Sequence, residues 1–232
     1  EATAKAAKNV GVEKLVCVLP YEYDFYYTED NKDPLEDKKE IEKRVLDQNP
    51  DIVFLRPNLV FGDYSYLIRY ITQSVIAGKV HKSFADTSQE APKFHPIHLE
   101  DLSTAIKHAI DNYDQVKGQE YLVKGKDEFK IGEIKELIEK QINGNASTYT
   151  DSFSLSNLFG EFFYGIGHDQ NMRLMVEYLK NNQQDLGKQK DYMTENNLEH
   201  KHKLSEFIEK QDLSAENHVF PLFSGYKHSI LD

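Results

Sequence analysis

Apolar residues in the first 142 positions of the chain alternate between short continuous runs and longer stretches with helical character. The continuous runs, which predict strands buried in a parallel sheet, are residues 14–19, 52–55 and 119–123. The stretches that are rich in helix formers or have helical spacing are residues 1–10, 35–46, 64–77, 99–110 and 131–142. Strands that alternate with helices of this length indicate an α/β fold with a parallel sheet.

The stretch 99–110 is the clearest helix in the sequence. Its apolar residues at positions 99, 102, 105, 106, 109 and 110 mark one helical face. Gly11 and Gly78 stand where the helices before them are expected to end. Between Pro20 and Pro34, four tyrosines at positions 21, 23, 26 and 27 lie among acidic residues, which predicts a loop.

The character of the chain changes after about residue 150. An aromatic patch at 153–164 is followed by a polar region, rich in Asn, Gln and Lys, at 181–203. We predict that residues 153–180 form helices of an appended lobe, and that 181–232 form a helix-containing tail that wraps a partner or the body. Partial disorder of the tail is the alternative. The predicted domains are therefore residues 1–150 and 151–232.

Charge and cysteine content narrow the kinds of partner. A net charge of −11 repels phosphate backbones, and the sequence has no basic stripe with interleaved aromatics, so nucleic-acid binding is disfavoured. A basic partner surface fits better. The single cysteine, Cys17, lies in an apolar run and predicts a core residue in a reducing compartment. No run approaches the roughly 20 apolar residues that a transmembrane helix needs.

Two further patterns are interpreted as structural. The pairs His95/His98 and His200/His202 have no acidic or cysteine partner at ligand spacing, so solvated or capping histidines are expected and no metal site is predicted. The single Tyr-x-x-x-Lys string, Tyr113 to Lys117, follows the helix at 99–110, far from a strand end where catalysis would need it. We interpret that string as a coincidence.

Several weak motifs occur in one order along residues 1–142. Lys38 is followed four residues later by Glu42, and then come Arg56-Pro57, Phe61-Gly62 and His98-Leu-Glu-Asp101-Leu. This order resembles the C-terminal part of an extended or atypical, NmrA-like short-chain dehydrogenase/reductase. The resemblance implies the C-terminal half of a Rossmann-like doubly wound parallel sheet with an appended, mostly helical lobe and tail. The Gly-rich phosphate loop that opens such domains is not found in the chain.

The resemblance also implies roles for individual residues. In active members the Lys holds the nicotinamide ribose and lowers the pKa of a Tyr four residues before it, and a strand-end Ser orients the substrate. Here the Lys is Lys38, the Tyr position is Pro34, and the Ser position is nearest Leu19 or Pro20. We therefore expect no catalytic residues, although a tyrosine from positions 21–27 stays open as a substitute acid. The expected cofactor contacts are Lys38, Pro57, Asn58, Leu59 and Val60.

Within that superfamily, residues 37–62 are similar to the nucleotide-binding accessory subunit of mitochondrial complex I, the alpha-subcomplex subunit nine family. This similarity implies a non-catalytic scaffold on the matrix side of the mitochondrial inner membrane, with other respiratory-chain subunits as partners. A structural NADPH would then require a partner chain that supplies the Gly-rich loop. Two alternatives remain open: an NADPH-dependent reductase or epimerase whose N-terminal half is outside this sequence, and an NmrA-like redox sensor.

Overall fold

The computed structural model describes residues 2–19, 34–63, 65–76, 79–81, 85–89, 91, 93–142, 147–149 and 190–211. The helices are α1 (Ala2–Asn9), α2 (Pro34–Gln48), α3 (Tyr66–Ile76), α4 (Leu99–Asp111), α5 (Tyr113–Val116), α6 (Ile131–Ile142), α7 (Tyr192–Glu195) and α8 (Leu204–Lys210). The strands are β1 (Val16–Val18), β2 (Val53–Pro57), β3 (Leu59–Phe61), β4 (Lys79–His81), β5 (Lys93–Phe94), β6 (Pro96–His98), β7 (Glu120–Val123), β8 (Phe129–Lys130) and β9 (Ser147–Tyr149).

The chain divides into two compact units, and the predicted boundary near residue 150, which lies outside the described residues, stays a prediction. The first unit holds the described residues of 2–60, 95–127 and 190–202, and the second holds those of 61–94, 128–149 and 203–211. The tail is thus split between the units. The physical reason is that residues 190–202 hydrogen-bond to β7 and α4 of the first unit, whereas α8 packs on α6 of the second.

A three-stranded parallel sheet in the order β1-β2-β7 forms the centre of the first unit. Cys17 lies opposite Phe54, and Leu55 lies opposite Tyr121. Every residue of β2 is buried because helices cover both of its faces. The core on one face contains Ala4 of α1, Val45 of α2, Phe54 of β2 and Ile52 just before that strand. The core on the other face contains Val53 and Leu55 of β2 with Ala105 and Ala109 of α4. The predicted α/β, Rossmann-like fold class is confirmed.

Helix α4 buries a narrower stripe than its sequence predicted. Leu102, Ala105 and Ala109 are buried, whereas Leu99 is 55% and Ile110 is 42% exposed. These two residues lie at the edge of the apolar stripe and at opposite ends of the helix. His98 caps the N-terminus, and its Nδ1 accepts a hydrogen bond from the Glu100 amide at 3.2 Å. The prediction that histidines here act as caps is confirmed for His98.

The predicted end of the first helix and the predicted bounds of the central strand are close to those in the structure. Gly11 ends the first helix in the left-handed region, at φ +73°, where a glycine is not strained. The strand predicted at 52–55 runs over Val53–Pro57 and so includes a charged residue, Arg56. That residue stays within a buried strand because two carboxylates neutralise it, as described below.

In the second unit, α3 packs on α6, β4 pairs in parallel with β9, and β5 pairs antiparallel with β8. Phe61 and Phe207 meet edge to face with ring centroids 5.4 Å apart. Across the part of the chain given above, no helix is long and apolar enough to cross a membrane. The tyrosine-rich loop at 20–33 and the helical lobe at 153–180 lie outside the described residues, so both stay predictions. The tail does contain helices, α7 and α8.

Candidate functional site

The carboxyl edge of the parallel sheet is where ligands bind in open α/β folds. Pro57 is the last residue of β2, and Asn58 connects it to β3, which contains Leu59 and Val60. Four of the five predicted cofactor contacts therefore lie together at this edge. The fifth, Lys38, lies in the first half of α2, and its side chain is outside the described part of the structure.

Asn58 joins two segments at this edge. Its side chain is almost fully buried, and its Oδ1 accepts a hydrogen bond from the His95 amide at 2.9 Å. The His95 carbonyl in turn accepts from the Gly125 amide at 3.0 Å, just beyond β7. A Cβ on Gly125 would lie 1.6 Å from the Pro96 carbonyl oxygen, so only glycine fits there. The chain segments after β2 and β7 are thus held together through His95.

A buried ion cluster fixes α2 onto β2. Arg56 is fully buried and forms ion pairs with Glu42 of α2 and Glu120 of β7, which keep 17% and 39% of their side-chain exposure. Its guanidinium also lies over the Phe54 ring, 5.8 Å from the centroid. The Glu that follows Lys38 by four residues therefore pairs with the Arg of the Arg-Pro motif. This pair sets the position of the helix that carries Lys38.

The positions that would supply acid–base chemistry carry no hydroxyl. Pro34 is the first residue of α2, where its missing N–H leaves no helical bond unmade. Leu19 continues the strand ladder, since its amide donates to the Leu55 carbonyl at 3.0 Å. Pro20 and the tyrosines at 21–27 lie outside the described residues. The substitute acid expected from that loop stays a prediction.

The Tyr113-x-x-x-Lys117 string lies at the opposite edge of the sheet. The Tyr113 hydroxyl donates to the Asp51 carbonyl at 2.6 Å, two residues before β2 begins. Lys117 forms an ion pair with Asp114, one turn away. Both side chains are therefore used in local structure.

Cys17 belongs to the core rather than to a reactive site. Its side chain is half-buried against the cluster formed by α1, α2 and β2. Burial raises the pKa of the Cys17 thiol, and the charge of Arg56 offsets only part of this effect. A thiol with a raised pKa is a poor nucleophile at neutral pH.

Sequence reasoning missed the segment that begins at Lys190. The Leu122 amide donates to the Lys190 carbonyl at 2.9 Å, and the Lys124 amide donates to Asp191 Oδ1 at 3.0 Å. Tyr192 is fully buried, and its hydroxyl lies 2.9 Å from His108 Nδ1. Burial raises the pKa of Tyr192 to about 12. The available signal was Asp191 as an N-cap ahead of two large apolar residues, within an otherwise polar region.

Comparison with solved structures places the fold in a known class. A nucleoside-diphosphate-sugar epimerase from Staphylococcus aureus matches 90% of this chain and 68% of its own, with 16% identity and a TM-score of 0.58. A UDP-glucuronic acid 4-epimerase from Bacillus cereus, solved in complex with NAD, matches 90% of this chain and 63% of its own, with 12% identity and a TM-score of 0.54. No family model and no curated protein sequence matches the chain.

These matches support the expected class at the level of fold. The chain has a Rossmann-like α/β fold like that of the two epimerases, and it spans about two thirds of their length. Nothing in the comparisons links the chain to a respiratory complex.

Proposed function

We propose that this chain is part of an NAD(P)-binding protein of the reductase or epimerase type, and that it supplies the side of the fold that contacts the nicotinamide half. The observation that carries the proposal is the carboxyl edge of β2, where Pro57 ends a buried parallel strand and residues 58–60 follow it, in a fold like that of an epimerase solved with NAD. Asn58 and the buried pair of Arg56 with Glu42 hold this edge and helix α2 in place.

The position of β1 at the edge of the sheet supports a dinucleotide site that is completed by a further segment or chain. Among the described residues, β1 pairs only with β2, and Val16, Cys17 and Val18 are all half-buried. A parallel edge strand of this kind exposes unpaired backbone groups that favour a further strand. In the proposal, that strand and the Gly-rich loop come from a preceding segment or from another chain, and the pyrophosphate binds there.

Turnover depends on a tyrosine that α2 does not provide. With Pro34 at the usual position, an active reductase or epimerase requires a tyrosine from 21–27 as the proton donor or acceptor. Without one, the protein holds the dinucleotide and serves as an accessory subunit. The mitochondrial complex I assignment is the most specific form of this second candidate, and it depends only on the resemblance of residues 37–62.

Native purification tests the proposal. The endogenous protein is isolated, its co-purifying chains are identified, and bound nucleotide is extracted and quantified. One equivalent of NADP(H) or NAD(H) for each copy is expected, and its complete absence from an intact preparation would refute the proposal. Oxidation of NADPH by a free species identifies the reductase type, whereas co-migration with respiratory subunits identifies the accessory type.

A matched pair of lysine variants on α2 locates the site. Lys38→Met is expected to weaken dinucleotide binding by about tenfold or more, since one charge-assisted hydrogen bond to the ribose is lost. Lys43→Met, at an exposed position of the same helix, is expected to bind as the wild type does. Fluorescence titration with the reduced dinucleotide measures both. Equal affinities would remove Lys38 from the site while leaving the fold assignment intact.

A further inference from the structure

Three potential metal ligands meet at the N-terminus of α4. His98 and Glu100 belong to the cap and first turn of that helix, and His202 comes from the segment after α7, about a hundred residues later in the chain. One ligand atom from each side chain lies within 4.8 Å of the other two. The rings of His98 and His202 are stacked, with centroids 4.0 Å apart and an interplanar angle of 26°.

The contacts of His202 leave one lone pair facing a carboxylate. Its Nδ1 lies 3.2 Å from Asp101 Oδ1, so the Nδ1–H of a neutral ring donates to that carboxylate. The Nε2 lone pair then faces Glu100 Oε2 at 3.3 Å. Two acceptors at this distance repel each other, and a metal ion between them turns that repulsion into coordination.

The spacing matches a metal ion. A tetrahedral zinc ion that binds nitrogen and oxygen donors at roughly 2.1 Å holds them about 3.4 Å apart. The distance of 3.3 Å between His202 Nε2 and Glu100 Oε2 fits that edge. A ligand atom of His98 lies within 4.8 Å of both, so His98 completes the set when a metal ion replaces its 3.2 Å bond to the Glu100 amide.

Asp101 holds His202 in the orientation that metal binding needs. Its side chain is only 3% exposed, and it accepts hydrogen bonds from the amides of Lys201 and His202 as well as facing His202 Nδ1. A carboxylate on the far nitrogen fixes the tautomer and increases the basicity of a ligating histidine. Asp101 is thus a positioning residue. Together with Glu100 it also outweighs the partial positive charge of the helix N-terminus.

We propose that His98, Glu100 and His202 form a binding site for a divalent transition metal of the zinc type, which fastens the segment before α8 to α4. Two imidazoles and one carboxylate are a donor set that zinc accepts, and the Glu100 side chain is 75% exposed, so water fills the remaining position. The site lies within the first unit and does not depend on the proposed dinucleotide function.

Calorimetric titration of the chelator-treated full chain with zinc chloride tests the proposal. The wild type is expected to bind one equivalent that Glu100→Gln and His202→Gln each weaken at least tenfold. Glu100 is exposed, so its variant keeps the fold. Glu199→Gln and His200→Gln, which change the same residue types outside the cluster, are expected to bind as the wild type does. Equal binding by all five proteins would assign the zinc to other histidines of the chain and overturn the proposal.

Two further readouts separate a built site from general affinity. Cobalt(II) in place of zinc is expected to give the visible absorption of a low-symmetry, four-coordinate centre in the wild type and to lose it in His202→Gln. Asp101→Asn is expected to lower zinc affinity by about 10- to 100-fold, as removal of a carboxylate behind a ligand does. An unchanged cobalt spectrum in His202→Gln would contradict the assignment.

Discussion

The ion cluster around Arg56 makes a quantitative prediction about stability. Glu42→Gln keeps the shape of the side chain but removes one of the two carboxylates that neutralise a fully buried guanidinium. Removing one partner of a buried pair costs about 3–5 kcal/mol, because the remaining charge has no water to hydrate it. Here Glu120 remains, so we expect a loss of about 2–3 kcal/mol in the free energy of unfolding.

Removing the buried charge as well should reverse much of this loss. Arg56→Met combined with Glu42→Gln places apolar volume against Phe54 and leaves Glu120, whose side chain is 39% exposed, to interact with water. Replacement of buried ionic groups by apolar ones is often neutral or stabilising, so the double variant is expected to be at least about 1 kcal/mol more stable than Glu42→Gln alone.

Urea denaturation of the variants measures these differences by linear extrapolation. The matched control is Glu40→Gln, on the same helix, whose partner Arg44 forms an ion pair with both side chains more than half exposed. An exposed pair of this kind contributes about 0.5 kcal/mol or less. If Glu42→Gln and Glu40→Gln lose the same stability, the argument that burial makes the Arg56 cluster matter is refuted.

Three other predictions follow from single contacts. Gly125→Ala, whose Cβ would overlap the Pro96 carbonyl oxygen, is expected to lower the free energy of unfolding by about 3 kcal/mol or more in the same urea assay. Gly11→Ala, at a position with positive φ but open space, should lower it by only about 1 kcal/mol. The folded-state pKa of Tyr192, about 12, exceeds the unfolded value of about 10. The stability that the neutral Tyr192 side chain contributes is therefore fully present below pH 10 and is lost as pH rises toward 12. The decrease in the free energy of unfolding over that pH range should be smaller in Tyr192→Phe. Asp191→Ala removes the N-cap of α7 and should cost about 1–2 kcal/mol, with faster proteolysis of residues 190–202.

Local sequence patterns predicted the elements of the parallel sheet because the residues that are buried there form continuous runs or regular stripes in the sequence. The run at 52–55 is apolar on both faces, as a strand covered by helices on both sides must be, and the stripe on residues 99–110 covers one face of the sheet. The exceptions are residues whose contacts come from distant parts of the sequence. Arg56 remains in the strand through Glu42 and Glu120, which are distant in sequence.

The same reasoning explains what could not be predicted. The region 181–203 is polar, and only Tyr192 and Met193 within its described part are fully buried, so no periodicity indicates that it joins the first unit. The pairs His95/His98 and His200/His202 are about a hundred residues apart in the sequence. The meeting of His98 and His202 at the N-terminus of α4 requires the three-dimensional path of the chain, which no local pattern contains.

The contacts of Asp101 also constrain how the protein is made. Its amide partners, at 201 and 202, lie 100 and 101 residues downstream. While the ribosome is still adding those residues, the carboxylate at the first turn of α4 has none of them to bind and must stay hydrated. Contacts of such long sequence separation form late and slow folding. The nascent first unit therefore remains incomplete until translation has passed residue 202. A chaperone that shields the part of the first unit that residues 190–202 later cover would have most effect in that interval.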